Sequence, residues 1–317
     1  MKDEALTLKD GPVLVIGAAG VDIVGHLRAE LRSGTSTPAY IRTSFGGVAR
    51  NVAENLARLG QPVTLLTSVG NDHAGDRLLA QVADAGVDVT ITVRTAAHPT
   101  GSYLAAVNTT GQLQYAMDDM RAISALTPDC IRRYSGVFRQ SALLYIDSNL
   151  SKDTLRTVMS LARQARLPVC ADPTSPLLAG RLRPYLPRLH LITPNFAEAA
   201  VFCEQPLKSE GRRQGLQAAK ELVSQGVQIA IVTLAERGLC YATSETSGYI
   251  PAVRTEVVDP TGAGDALSAT VIFALLNAIP LDDAVRLGVS AASLTLRHRG
   301  AVAPDLSLEK LYDQLVI

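Results

Sequence analysis

The residues best placed to do chemistry stand in a short run, "DPTGAGDA" (259–266), where two glycines flank an alanine and a carboxylate follows at once. Gly262, Ala263 and Gly264 keep Cβ bulk low, so backbone N–H groups can converge on one point. The apolar stretch behind them, "LSATVIFALL", starts as a buried helix would, and a helix N-terminus adds partial positive charge at the same place. Such a turn suits an anion, and a transferring phosphoryl group is the natural candidate because its charge develops during reaction. Asp265 inside an anion site is awkward for binding and apt for chemistry, since a carboxylate there can accept the proton of an attacking hydroxyl. The same residues would also make a plain tight turn with Asp265 as a helix cap. By itself the run says only "anion". Competing nucleotide motifs are absent, with no G-x-x-x-x-G-K-[ST] and no G-x-G-x-x-G after the first strand.

The surrounding elements must bring such a turn to a ligand edge. "PVLVIG" (12–17), "PVTLLTSVG" (62–70), "SALLYID" (141–147), "LPVCAD" (167–172), "LHLIT" (189–193) and "VQIAIVT" (227–233) read as buried strands. Helical patterns alternate with them, including "GGVARNVAENLARLG" (46–60), stopped by Gly60, and a helix over roughly 73–85. That alternation predicts a mainly parallel α/β sheet covered on both faces, with ligands beyond the carboxyl ends of its strands. The stretch 90–118 breaks the rhythm. "TITVR", "GSYLAAVN" and "GQLQYAM" alternate in the manner of a small antiparallel unit, "NTTG" (108–111) supplies a turn, and Tyr40–Thr43 could pair with it. Such an insertion is either a water-excluding lid or a mere flap.

Composition bounds the partners. The chain has 317 residues, 47% hydrophobic and 19% charged, enough for one large α/β domain or two small ones. Thirty basic residues balance thirty acidic ones, so neither a nucleic acid nor a membrane surface is expected. Cys130, Cys170, Cys203 and Cys240 sit in or beside apolar segments in no metal-ligand pattern and read as reduced packing residues of a cytoplasmic protein. "MKDEALTLKD" lacks an apolar h-region, so no secretory signal is expected, and the longest apolar run is too short to span a bilayer.

The wider segment "VVDPTGAGDA", together with "FGGVARNVAENLARLG" (45–60) some 200 residues earlier, closely resembles the two signatures of the ribokinase (PfkB) family of carbohydrate and nucleoside kinases. The likeness extends over essentially the whole chain. It implies a single ribokinase-like domain over 1–317, with a central, mainly parallel Rossmann-like sheet, helices on both faces, and a small β-sheet lid from segments about 22–45 and 90–120. It also implies roles, position by position. Asp265 matches the catalytic base, and Gly262, Ala263 and Gly264 the anion hole for the transferred phosphoryl. Asp22, in "GAAGVD", matches the aspartate that grips sugar hydroxyls, and Gly46, Gly47 and Asn51 the sugar-binding Gly-Gly and Asn. "TPNFAEA" (193–199) puts Asn195 and Glu198 near the phosphates and Mg²⁺. "VTLAERG" (232–238) implicates Thr233 and Gly238 beside ATP, with Ala235 where a glycine is common. Asp259 falls where many members bind a monovalent cation such as K⁺.

Several segments resemble the pseudouridine kinases of that family in particular: "GGVARNVAENLARLG", "TGSYLAAVNTTGQLQYAMDDM" (100–120), "IDSNLS" (146–151) and "CADPTS" (170–175). This likeness implies phosphorylation of the 5′-hydroxyl of pseudouridine by ATP. Asp147, Asn149 and Asp172 would then face the cleft, and Ser102 and Tyr103 would close over the base. The alternatives are another sugar or nucleoside kinase (ribose, fructose, a keto-deoxy sugar acid, adenosine) and, from a different class, a non-catalytic nucleotide or sugar sensor. A dinucleotide oxidoreductase is rejected, because "GAAGVD" lacks the third glycine and no acidic ribose ligand follows. A homodimer through the lid is compatible with the family.

Overall fold

The structure, a computed structural model, describes residues 10–110 and 112–315. The charged N-terminal stretch, on which the absence of a secretory signal was read, lies outside these at positions 1–9, as does Gly111 of the predicted turn.

The strands in chain order are β1 (Val13–Ile16), β2 (Gly20–Leu27), β3 (Ala39–Gly46), β4 (Val63–Leu66), β5 (Ser68–Gly70), β6 (Val93–Thr95) and β7 (Gly101–Val107). They continue as β8 (Leu113–Asp119), β9 (Leu143–Asp147), β10 (Val169–Asp172), β11 (Leu191–Ile192), β12 (Ile229–Thr233), β13 (Leu239–Ala242) and β14 (Ser247–Ile250). The central sheet runs β14-β13-β12-β11-β10-β9-β1-β4, parallel from β4 to β12 and antiparallel at β13 and β14. β1, β4, β9 and β10 are buried along their whole length, which is why they read as continuous apolar runs. Each fully buried Val, Leu or Ile contributes about 1.5–3 kcal/mol relative to exposure.

Two expectations need correcting. "PVTLLTSVG" is not one strand: the chain breaks at Thr67, and β5 leaves the central sheet to pair in parallel with β6. The tail of "TITVR" therefore belongs to a separate two-stranded sheet, and residues 90–100 do not enter the small sheet. That sheet is four-stranded, in the order β3-β2-β7-β8, and it is mixed, because β2 and β7 run parallel. Tyr40–Thr43 pairs with β2, which stands between it and the 101–119 hairpin.

The helix Ala263–Leu276 is apolar on every side and almost wholly buried, packed between Val48–Arg58 and Leu281–Leu296. Its N-terminus and that of Val48–Arg58 meet just beyond the carboxyl ends of β1 and β9.

Among the described residues, no helix is long and apolar enough to cross a membrane. Cys130, Cys170, Cys203 and Cys240 are free thiols.

Candidate active site

The helix Ala263–Leu276 starts without a side-chain cap, so its first N–H groups are left to whatever binds in front of them. Gly262 is the N-cap in the left-handed region at φ 79°, and a Cβ there would collide with the carbonyl of Ala301. Asp265 follows in the first turn and is not the cap.

Asp265 is held by Asn51, whose amide nitrogen donates to Oδ2 at 2.7 Å. Asn51 Oδ1 in turn accepts from Arg50 Nη1 at 2.9 Å, and Arg50 also donates to the Phe45 carbonyl. Arg50 is buried and ion-paired with Glu54, which Arg58 engages from the other side. Burial pushes Asp265 up to about 7; Asp147 and Asp22 push the same way, while the Asn51 bond and the Arg50 charge oppose them. Asp22, on β2, is pushed up to about 6 by burial, against the pull of Arg50. Gly46 lies against it so closely that a Cβ would strike its carboxylate.

Behind these, Asp172 is raised well above the carboxylate range by burial and by the neighbouring Glu198 and Asp265. Glu198 is raised by burial and steadied by a capping box, in which Asn195 N–H donates to Glu198 Oε2 and Glu198 N–H to Asn195 Oδ1, both at 2.9 Å. Asp22, Asp172, Glu198 and Asp265 thus lie near one another, with the buried Asp147 close enough to raise Asp265 and Asp172 further and Arg50 as the answering cation for Asp22 and Asp265. This excess of negative charge is one that a divalent cation and its ligands could relieve. Among the described residues, no three His, Cys, Asp or Glu side chains gather to hold a metal by themselves, so a metal at Glu198 or Asp259 needs other ligands as well. Asp259 accepts from Thr261 N–H and Gly300 N–H, both at 3.0 Å, tying the glycine turn to the 300 loop.

On the far side of the turn opens a cavity of about 580 Å³. Thr233, Gly238, Ala263 and Gly264 line it, joined by Val253, Val257, Leu267, Val289, Ala292 and Leu296. An apolar slot ending at free helix N–H groups suits a flat heteroaromatic ring carrying phosphates. Thr233 bridges to Asn195, which sets the cavity beside the capping box. Ala235, also on its wall, holds a left-handed φ of 49°, a conformation glycine adopts without strain.

Not every expected residue converges. β2 and β7 pair Asp22 with Tyr103 and Val21 with Ser102, so alternation puts Tyr103 on the Asp22 face and Ser102 on the opposite one. Ser102 instead donates to the Thr100 carbonyl. Asp147 does not face the cleft: it is fully buried, its Oδ2 accepting from Ala18 and Ala49 N–H and its Oδ1 from Asn149 N–H. It braces the β1 end against the helix Val48–Arg58. Asn149 lines a shallower cavity with Asp118 and Arg181. Gly47 caps that helix at φ 96°.

A family model described as pfkB family carbohydrate kinase matches residues 12–307. The chain belongs to that family. The pseudouridine kinase of Escherichia coli (strain K12) is 30% identical to this kinase over 297 residues, covering 93% of this chain and 94% of that protein. The guanosine-inosine kinase of Exiguobacterium acetylicum is 28% identical over 297 residues, covering 93% and 97%. The structure of Arabidopsis thaliana ribokinase complexed with ribose and ATP matches with a TM-score of 0.84 over 98% of this chain and 100% of that one, at 21% identity, a likeness of fold.

Sequence reasoning missed Arg50 and the apolar wall at 252–257 and 289–296 of this kinase. Arg50, Glu54 and Arg58 are spaced like an i,i+4 ladder on a solvated helix face, so the pattern disguises a buried network. The wall residues come from a loop without regular structure and from one side of a helix, and carry no local signal.

Proposed function

We propose that this kinase transfers the γ-phosphoryl group of ATP to the 5′-hydroxyl of pseudouridine. The observation that carries the reading is the placement of Asp265, a carboxylate titrating near neutrality between the sheet face bearing Asp22 and an uncapped helix N-terminus. Asp22, Gly46 and Gly47 hold the ribose, with Asn51 acting partly through its bond to Asp265. Tyr103 and Asp172 flank the nucleoside. ATP lies in the apolar cavity by Thr233 and Gly238, its phosphates toward Asn195 and the N–H groups of 262–264. Asp265 takes the proton of the acceptor hydroxyl, the freed oxygen forms the new P–O bond, and the bond to the bridging oxygen breaks, its electron pair leaving with ADP. Mg²⁺ held near Glu198 would supply charge neutralisation on the phosphates, and Asp259 is the residue for a monovalent cation.

The 30% identity to a pseudouridine kinase supports the acceptor, and the 28% identity to a guanosine-inosine kinase makes purine nucleosides the second reading. ADP release with Mg·ATP and K⁺ would be compared for pseudouridine, uridine, guanosine, adenosine, ribose and fructose. The proposal requires pseudouridine to lead, and Asp265→Asn to abolish turnover while ATP binding persists. Preference for another acceptor overturns the substrate; no turnover on any of them discards all six acceptors, and ATP-binding calorimetry then comes next, with an untested acceptor and a sensor as the two readings left. We also propose a homodimer, in which a second copy covers the outer face of the small sheet.

A further inference from the structure

A second cavity, of about 460 Å³, opens beside the edge strand β3. Val21, Thr43 and Phe45 line it from the face of the small sheet opposite Asp22, with Ser44 at its rim, and Asp22, Gly46, Asn51 and Asp265 are not on its wall. It is therefore not the acceptor pocket. Arg50, His73, Arg77 and Arg299 all stand on its wall, with no carboxylate side chain among the lining residues. Glu54 answers Arg50, yet Arg50 Nε is buried without a partner. Arg77 lies over the Phe45 ring at 5.9 Å, and neither it nor Arg299 has an ion-pair partner among the described residues. Asp76, beside Arg77 in sequence, is taken by Arg94 at 2.7 Å. The helix His73–Asp84 begins on the same wall, but the Asp72 carboxylate already caps it by accepting from Gly75 N–H at 2.8 Å, so the positive charge here is that of the side chains.

We propose that this cavity is a second, non-catalytic site for a phosphate group, taken either as free phosphate or as a phosphate monoester, and that its occupant tightens the loop forming the anion hole. A phosphate dianion answers the two unpaired arginines together, and guanidinium forks match its oxygens in pairs. The route to the anion hole is short. Gly300 and Ala301 form part of the cavity wall. Gly300 N–H donates to Asp259, which accepts from Thr261 N–H, and the Ala301 carbonyl packs where a Cβ of residue 262 would stand. An anion that orders Arg299 therefore orders the residues that fix Gly262. The site itself stands on the cavity alone, and only its link to the anion hole rests on the kinase reading.

The test must keep phosphate out of the anion hole. The full-length protein is saturated with Mg²⁺ and a non-hydrolysable methylene analogue of ATP, then titrated calorimetrically with inorganic phosphate and, separately, with ribose 5-phosphate. One equivalent should bind, and the tighter of the two identifies the source. Arg77→Glu and Arg299→Glu should each weaken it about tenfold or more, with Arg299→Gln intermediate, while affinity for the analogue is unchanged. Both arginines are exposed, so the variants should fold, which their melting checks. Absence of phosphate binding, or binding indifferent to both reversals, overturns the site. If the analogue itself fails to bind, the kinase reading falls, and the wild-type against R299E titration still decides the cavity. The link is read by amide exchange: phosphate should slow exchange over 259–264 in the wild type and not in R299E, and unchanged exchange in both overturns it.

Discussion

Asn51 and Asp265, 214 residues apart in the chain, are joined by a 2.7 Å hydrogen bond in which the amide nitrogen donates to the carboxylate Oδ2. The bond ties the N-terminal glycine-glycine segment to the C-terminal turn. It also bears on the pH at which Asp265, proposed above as the base, loses its proton: burial and two neighbouring carboxylates push Asp265 up to about 7, and Asn51 and Arg50 pull it back.

A base works deprotonated, so kcat/KM should fall as pH drops through about 7, following Asp265 in the free enzyme. Asn51→Leu removes a stabiliser of the charged form and should move that limb upward by roughly one pH unit. At pH 7 the variant should lose on the order of 10–100-fold in rate, with part of the loss recovered by pH 9. A limb that stays in place with a uniformly lower rate would assign Asn51 to substrate binding alone.

The same shift makes a statement about stability. A carboxyl raised from 3.8 to about 7 on folding binds its proton more tightly in the native state. Its contribution is therefore most favourable below the unfolded value near 3.8 and is lost as pH rises to about 7. Asp265→Asn carries no such charge, so it should match the wild type near pH 4 and exceed it above pH 7 by on the order of 4 kcal/mol. Thermal melts at pH 4, 6 and 8 read this directly as a gap that opens with pH. A pH-independent difference between the two proteins would refute it.

Arg50 is the cation on which the carboxylate pocket depends, and its loss should cost more than its own contacts. Arg50→Met leaves Glu54 with Arg58 alone and frees Asn51 Oδ1. Breaking a buried pair in this way costs about 3–5 kcal/mol, and neutralising the partner as well recovers much of it. Urea denaturation of Arg50→Met and of Arg50→Met with Glu54→Gln should therefore differ, the double variant being the more stable. Equal losses would mean that the pair is not a unit.

The fold and the glycine turn at the start of the apolar helix were legible because both are written locally. Fully buried parallel strands give unbroken apolar runs, and small residues set before an acid and an apolar helix mark a place where backbone N–H groups meet an anion. What stayed hidden depends on parity or distance. Ser102 and Tyr103 are adjacent in sequence and face opposite ways, so a one-residue offset decides which of them shares the face of Asp22. Only the family resemblance put the segment 22–45 in the small sheet; the residue pattern did not mark β2, because "GVDIVGHL" mixes Asp and His into a strand. Asp147 looked like a cleft residue at a strand end, and only the approach of Ala18 and Ala49 turns it inward.

The outer face of the small sheet carries the remaining prediction. Strand register places Ile41, Leu104, Tyr115 and Met117 on the side opposite Asp22, and they are 71%, 41%, 62% and 62% exposed. An exposed apolar patch of this kind is the observation behind the proposed homodimer. A two-fold contact would bring the same patch from each copy together, self-complementary without charge. Sedimentation at micromolar concentration should give a dimer, and Leu104→Glu, which places like charges at the centre of the contact, should give a monomer. Because Leu104 is exposed in the monomer, that substitution should leave the intrinsic melting of the isolated subunit within about 0.5 kcal/mol of the wild type. A wild-type chain that sediments as a monomer at all concentrations would leave the face without a second copy and end the proposal.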